Sequence, residues 1–126
     1  MPHVVSQADF DALVEQGIRL LPPRFANALA DVRVEVRDRP SEKLLRDMEM
    51  HPDDLLLGLY EGIPLTERSV EESGRAPDVI FLFRDDIMEV ARDENDLVEQ
   101  VTITLLHEIG HYFGLDEDEL DRLGYG

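Results

Sequence analysis

Residues 107–111 read His-Glu-Ile-Gly-His, and this pentapeptide limits the fold more than any other part of the chain. On a helix, two histidines four apart can aim their imidazoles at one point, because positions i and i+4 stack on the same face. Glu108 then stands about 100° further round, within reach of a water held at that point. The spacing is that of a zinc hydrolase: two nitrogen ligands, a general base and room for a polarised water. The flanking residues support the helix. Asp96 followed by Glu99 has the form of a capping box, and Gly114 offers a left-handed stop. Leu97, Val98, Val101, Leu105, Leu106, Ile109 and Phe113 recur with helical period. The run Val101-Thr102-Ile103-Thr104 is β-branched throughout and by itself suits a strand. The caps and the longer period outweigh it, so one helix is expected over residues 96–113.

A third ligand has to come from beyond the helix. Gly114 turns the chain, and Glu117 follows three residues later, with Asp116 and Asp118 as alternatives in the same acidic run. That run also suits the first turn of a terminal helix ending at Leu123, where the macrodipole favours negative charge. The full spacing, His107-Glu108-x-x-His111-x-x-Gly114-x-x-Glu117, resembles the extended motif of metzincin-type zinc peptidases, with Glu in place of the third His. The chain is more closely similar to the small bacterial zincin-like metallopeptidases. Residues 57–62 (Leu-Gly-Leu-Tyr-Glu-Gly), 63–68 and 78–81 share that likeness, which spans roughly residues 30–120. The resemblance implies an α+β zincin-like fold: a small mixed β-sheet with a backing helix and an active-site helix. It implies Zn2+ held by His107, His111 and Glu117, with Glu108 as the catalytic base acting on a peptide or protein substrate. The chain departs from the metzincins in having no methionine after Met88, so it lacks their Met-turn. A metal-binding or partner-binding domain with little peptidase turnover is the alternative reading.

The chain of 126 residues fits one domain, 1–126, with a modest core and a shallow or open cleft. Twelve Lys and Arg against 29 Asp and Glu give a net charge of −17. Phosphate backbones need a basic face, so nucleic acid is a poor partner, and anionic membranes are disfavoured likewise. The charge, and Glu117 where a third histidine would stand, also speak against a zinc-dependent RNA-processing hydrolase. Without cysteine there is neither a disulfide framework nor a thiolate metal site. The opening residues do not read as a signal peptide, and no apolar run approaches the roughly 20 residues of a membrane span. A soluble cytoplasmic protein is the expectation.

Upstream of the motif, Ser6 begins an amphipathic helix with Phe10, Leu13, Val14, Gly17, Ile18 and Leu21 on one stripe, ended by Pro22-Pro23 and expected to lie on the sheet. Residues 24–29 suit a short helix. Residues 32–37 (Val-Arg-Val-Glu-Val-Arg) alternate as a strand with one wet face. Residues 41–50 have a short helical pattern, and 51–54 form a turn. Residues 55–60 read as a second strand, 63–66 as an edge segment and 67–77 as a polar surface loop. Residues 79–83 are continuously apolar, as in a strand buried on both faces. Residues 85–91 suit a short helix. By fold analogy, residues 55–66 are the edge on which an extended substrate would pair. His3 and His51 read as solvated, Tyr60 and Tyr112 as packing residues. Tyr125 sits where a nearby tyrosine hydrogen-bonds an oxyanion in some metzincins, although a frayed end is the simpler reading. Gly110 costs about 1 kcal/mol inside a helix, which calls for something packed closely against it.

Overall fold

A computed structural model describes residues 5–62 and 78–124. The expectations for His3, for residues 63–66 and 67–77, and for Tyr125 lie outside the described residues. Along the chain the elements are α1 (Gln7–Arg19), α2 (Pro23–Ala28), β1 (Val32–Arg37), α3 (Glu42–Asp47), β2 (Gly58–Glu61), β3 (Asp78–Phe83), α4 (Arg84–Val90), α5 (Glu94–Tyr112) and α6 (Glu117–Leu123).

The strands form a mixed sheet in the order β1-β3-β2. β1 runs parallel to β3, and β2 runs antiparallel to it. The uninterrupted apolar run of β3 explains its central place: Ile80 and Leu82 join the main core, while Val79 and Phe83 are buried on the opposite face. On that second face Phe81 and Phe83 stack, and Leu44 of α3 lines a cavity with them. β2 is shorter than its apolar stretch suggests, beginning at Gly58 rather than at residue 55. The segment before it is tied instead by a buried carboxylate. Asp86 accepts hydrogen bonds from the Leu56 amide at 2.9 Å and from Arg39 Nε at 3.0 Å.

The sequence places the start of α5 three residues too late. Asp93, not Asp96, is the N-cap, and its side chain accepts from the Asp96 amide. Asp96 is buried and accepts from the Arg92 amide, which holds its carboxyl below the ordinary carboxylate range. The β-branched run lies in the middle of the helix. Thr102 and Thr104 each donate a hydroxyl to the carbonyl four residues back, so the helix satisfies their polar atoms, while Val101 is fully buried. Tertiary burial overrides local propensity here.

The position of α1 differs from the expectation that it lies on the sheet. It packs along α5, with Gly17 set against Val101 and Thr102 so closely that a Cβ would sit 3.1 Å from either side chain. α5 is therefore enclosed by α1 on one side and by β2 and β3 on another, with Leu97, Val101, Leu105 and Ile109 fully buried. Among the described residues no helix is long and apolar enough to cross a membrane.

Candidate metal centre

The motif residues occupy the last turns of α5, where the helix leaves the core. Glu108 is buried, and His107 and His111 are partly exposed. The two imidazoles stand edge to face with ring centroids 4.7 Å apart, and their Nε2 atoms are separated by 3.1 Å. His111 Nδ1 lies 3.1 Å from the Leu115 carbonyl. A carbonyl only accepts, so Nδ1 carries a proton, and Nε2 is left pointing at His107 and Glu117.

Glu117 arrives by a short, well-determined route. Gly114 adopts φ 88°, the left-handed conformation that suits glycine, and the Leu115 amide returns to the Gly110 carbonyl. Asp116 then caps α6 in a reciprocal capping box with Glu119. Glu117 is thus the first residue of a terminal helix, as its acidic surroundings suggest, and it also reaches the histidines. Its Oε1 lies 3.2 Å from His107 Nε2 and 3.0 Å from His111 Nε2. Asp116 spends its side chain on the cap.

Gly110 explains why α6 sits where it does. A Cβ at this position would fall 2.3 Å from Leu120 Cδ2, so only glycine lets the fully buried Leu120 rest directly on α5. The packing inferred from the sequence to justify Gly110 is therefore supplied by the chain after Gly114. It also fixes Glu117, three residues before Leu120 on the same helix.

Glu108 is held differently. Its Oε1 accepts a 2.8 Å hydrogen bond from the Tyr60 amide of β2, and its Oε2 lies 3.9 Å from His107 Nε2. Burial pushes its pKa above the ordinary carboxylate value; the two histidines and the Tyr60 amide oppose the rise, and Glu117 adds to it. Gly58 makes the approach of β2 possible. A Cβ there would meet Thr104 Cγ2 at 2.6 Å and the Phe81 carbonyl at 2.9 Å. Tyr60 and Tyr112 pack edge to face, as their pattern suggests. His51 is exposed in its turn, its amide donating to Asp54. The Tyr60 amide, the Leu115 carbonyl and Leu120 are contributions the sequence reading missed. Two are main-chain groups, and the third was signalled only by the glycine it packs on.

His107, Glu108 and His111 offer ligand atoms all within 4.8 Å of one another, an arrangement able to hold a metal ion. The donor set suits zinc. Nitrogen and oxygen ligands 2.0–2.1 Å from a tetrahedral zinc are about 3.3 Å from each other. The Nε2 atoms of His107 and His111 and Oε1 of Glu117 stand 3.0–3.2 Å apart, whereas Glu108 lies further off with one oxygen already engaged. A family model described as zincin-like metallopeptidase matches residues 29–126. The chain belongs to that family. Its α+β architecture, a three-stranded mixed sheet with helices, is the zincin-like fold. Among solved structures, this zincin-like chain is similar to a conserved hypothetical protein from Thermo thermophilus, with 25% identity and a TM-score of 0.52 over 94% of this chain and 97% of that one. No curated protein matches it.

Proposed function

We propose that this zincin-like chain is a zinc-dependent metallopeptidase. The observation that carries the reading is the division of labour between its two glutamates: Glu117 Oε1 converges with both imidazoles, and Glu108 is held back from them by the Tyr60 amide. His107, His111 and Glu117 would hold the ion. A bound zinc supplies Lewis acidity toward a water and a substrate carbonyl. Glu108 Oε2 is the atom free to take the proton of the attacking water and to return it to the leaving amine. Burial raises its pKa, which makes it a better proton acceptor than an exposed carboxylate. The Tyr60 amide keeps that carboxylate in one orientation, so no freedom is lost when substrate arrives. The Leu115 carbonyl fixes the His111 tautomer, as an outer partner does for a metal-binding imidazole. The acidic surface, with a net charge of −17, favours neutral or basic peptides and disfavours nucleic acid and anionic membranes.

The test is cleavage of an unbiased peptide library, read by mass spectrometry, with zinc-loaded wild type and Glu108→Gln. Wild type should cut. Glu108→Gln should bind zinc with near-wild-type affinity in equilibrium dialysis and leave the library intact. Zinc binding by wild type with no cleavage would overturn the peptidase reading in favour of a metal-binding domain.

A further inference from the structure

Asp86 is the most deeply buried carboxylate among the described residues, 1% exposed in the first turn of α4. It serves two donors with one oxygen each: Oδ1 accepts from Arg39 Nε, and Oδ2 accepts from the Leu56 amide. The two donors are placed differently. Arg39 follows β1, and that exit is tied to α4 twice more. The Asp85 amide donates to the Asp38 carbonyl at 2.9 Å, and Arg84 Nη2 lies 2.9 Å from Asp38 Oδ1. Leu56 precedes β2, in a stretch without helix or strand. Among the described residues, its bond to Asp86 is the hydrogen bond that links this entry to α4.

β2 carries that tie to Glu108. The Leu57 carbonyl accepts from the Phe83 amide. Bonded and unbonded pairs alternate in an antiparallel ladder, so the amide of Tyr60, opposite Ile80, does not enter the ladder with β3. It donates to Glu108 instead. Tyr60 stands about 13 Å of extended chain beyond Leu56. Gly58 lies between them and excludes a gross error of register. A one-residue slip would turn the strand over and set a side chain where a Cβ already falls 2.6 Å from Thr104 Cγ2 and 2.9 Å from the Phe81 carbonyl. Smaller shifts of the strand are opposed by the short ladder and by Asp86.

We propose that Asp86 is a positioning residue for Glu108: by holding the Leu56 amide it fixes where β2 presents the Tyr60 amide, and with it the orientation of the Glu108 carboxylate. The kinetic consequence rests on the metallopeptidase reading. What β2 requires is an acceptor for the Leu56 amide rather than a negative charge. An asparagine side chain has one acceptor oxygen and can turn it to Leu56, because Arg39 is 46% exposed and can take water in its place. Asp86→Asn should therefore keep Glu108 in place, and Asp86→Ala should not. Arg39→Ala leaves Asp86 on Leu56 and should keep it too.

The test reads the Tyr60 amide by nitrogen–proton correlation NMR in the metal-free protein. An amide bonded to a carboxylate resonates downfield of an unbonded one, and its position describes the folded state whatever the overall stability. Glu108→Ala marks the unbonded position. Asp86→Ala should move the Tyr60 signal toward that position, while Asp86→Asn and Arg39→Ala should leave it near wild type. Leu56→Pro deletes the donor and leaves Asp86 with Arg39; it should act as Asp86→Ala does, and it stands in for that variant should Asp86→Ala not fold. On a peptide that wild type cuts, the displaced variants should lose on the order of 10–100-fold in kcat, with KM and zinc affinity near wild type, and Asp86→Asn should restore the rate. The proposal is overturned by a Tyr60 signal that stays put in Asp86→Ala and Leu56→Pro, by an Asp86→Asn protein that behaves as Asp86→Ala, or by a displaced signal with unchanged kcat. If wild type cuts no peptide, the metallopeptidase reading fails by itself, and the Tyr60 signal still decides whether Asp86 orients Glu108.

Discussion

Gly110→Ala tests whether the contact between α5 and α6 governs the position of Glu117, the proposed third ligand. In an open helix, this substitution would stabilise the protein by about 1 kcal/mol through backbone entropy. Here the new Cβ falls 2.3 Å from Leu120 Cδ2, well inside the roughly 3.5–4.0 Å carbon–carbon contact distance. Overpacking of this kind costs about 1–3 kcal/mol. The two effects leave a net change between roughly zero and 2 kcal/mol destabilising. The larger consequence is local. Leu120 must retreat, and it carries α6 and Glu117 away from the imidazoles. Losing an outer support of this sort weakens metal binding on the order of 10–100-fold. Urea denaturation of the metal-free protein gives the first quantity, and competition for zinc against a chromophoric chelator gives the second. Combining Gly110→Ala with Leu120→Ala should give a non-additive cycle, because the second change removes the atom the first one strikes. The reasoning fails if Gly110→Ala is stabilised by the full helix-propensity gain and binds zinc as wild type does.

Further outcomes follow from the same structure. Zinc at a hundredfold excess over its Kd should stabilise the folded protein by about 2.7 kcal/mol, and His111→Ala should abolish the effect; calorimetric melting with and without chelator measures it. In the metal-free protein, Glu108 keeps its proton in the folded state at pH values where the unfolded chain has lost it. Stability from this group is therefore lost as pH rises from the ordinary carboxylate range through the raised folded value. Metal-free Glu108→Gln should accordingly be more stable than wild type at pH 7, and the gap should close as pH falls below that range in denaturant titrations. Asp86→Ala leaves the Leu56 amide without its acceptor and should cost about 1–3 kcal/mol by urea denaturation. Gly58→Ala forces a Cβ onto Thr104 and the Phe81 carbonyl and should cost at least about 1 kcal/mol in the same assay, since backbone cannot yield as a side-chain tip does.

Much of the fold could be read from local pattern. Ser6 and Ser41 cap their helices, residues 32–37 form the alternating strand, and the apolar run of residues 79–83 is the central strand. The misreadings share a cause. Asp93 and Asp96 are both plausible caps, and only the burial of Asp96 beside Arg92 separates them. Likewise, the stripe of α1 shows that one face is buried but not that α5, rather than the sheet, covers it. The clustering of His107, Glu108, His111 and Glu117 was legible because their spacing is itself the geometry. What was not legible is what holds them. The Tyr60 amide and the Leu115 carbonyl are main-chain groups that almost any residue type could supply, so they leave no trace in a sequence. Asp86 gives no sign that it ties down the segment leading into β2.

The three convergent atoms come from one short span. His107 and His111 are four residues apart, and His107 and Glu117 ten, whereas Glu108 meets Tyr60 across 48 positions of chain. The two halves of the centre therefore differ in the chain entropy that closing them costs. The half that brings the histidines and Glu117 together needs only a helix end, a glycine turn and the start of the next helix, short loops that cost little entropy to close. The contact that orients Glu108 requires β2 to be docked on α5. On the proposed ligand set, metal content would report on one short stretch of the molecule, and the orientation of Glu108 on the completed fold.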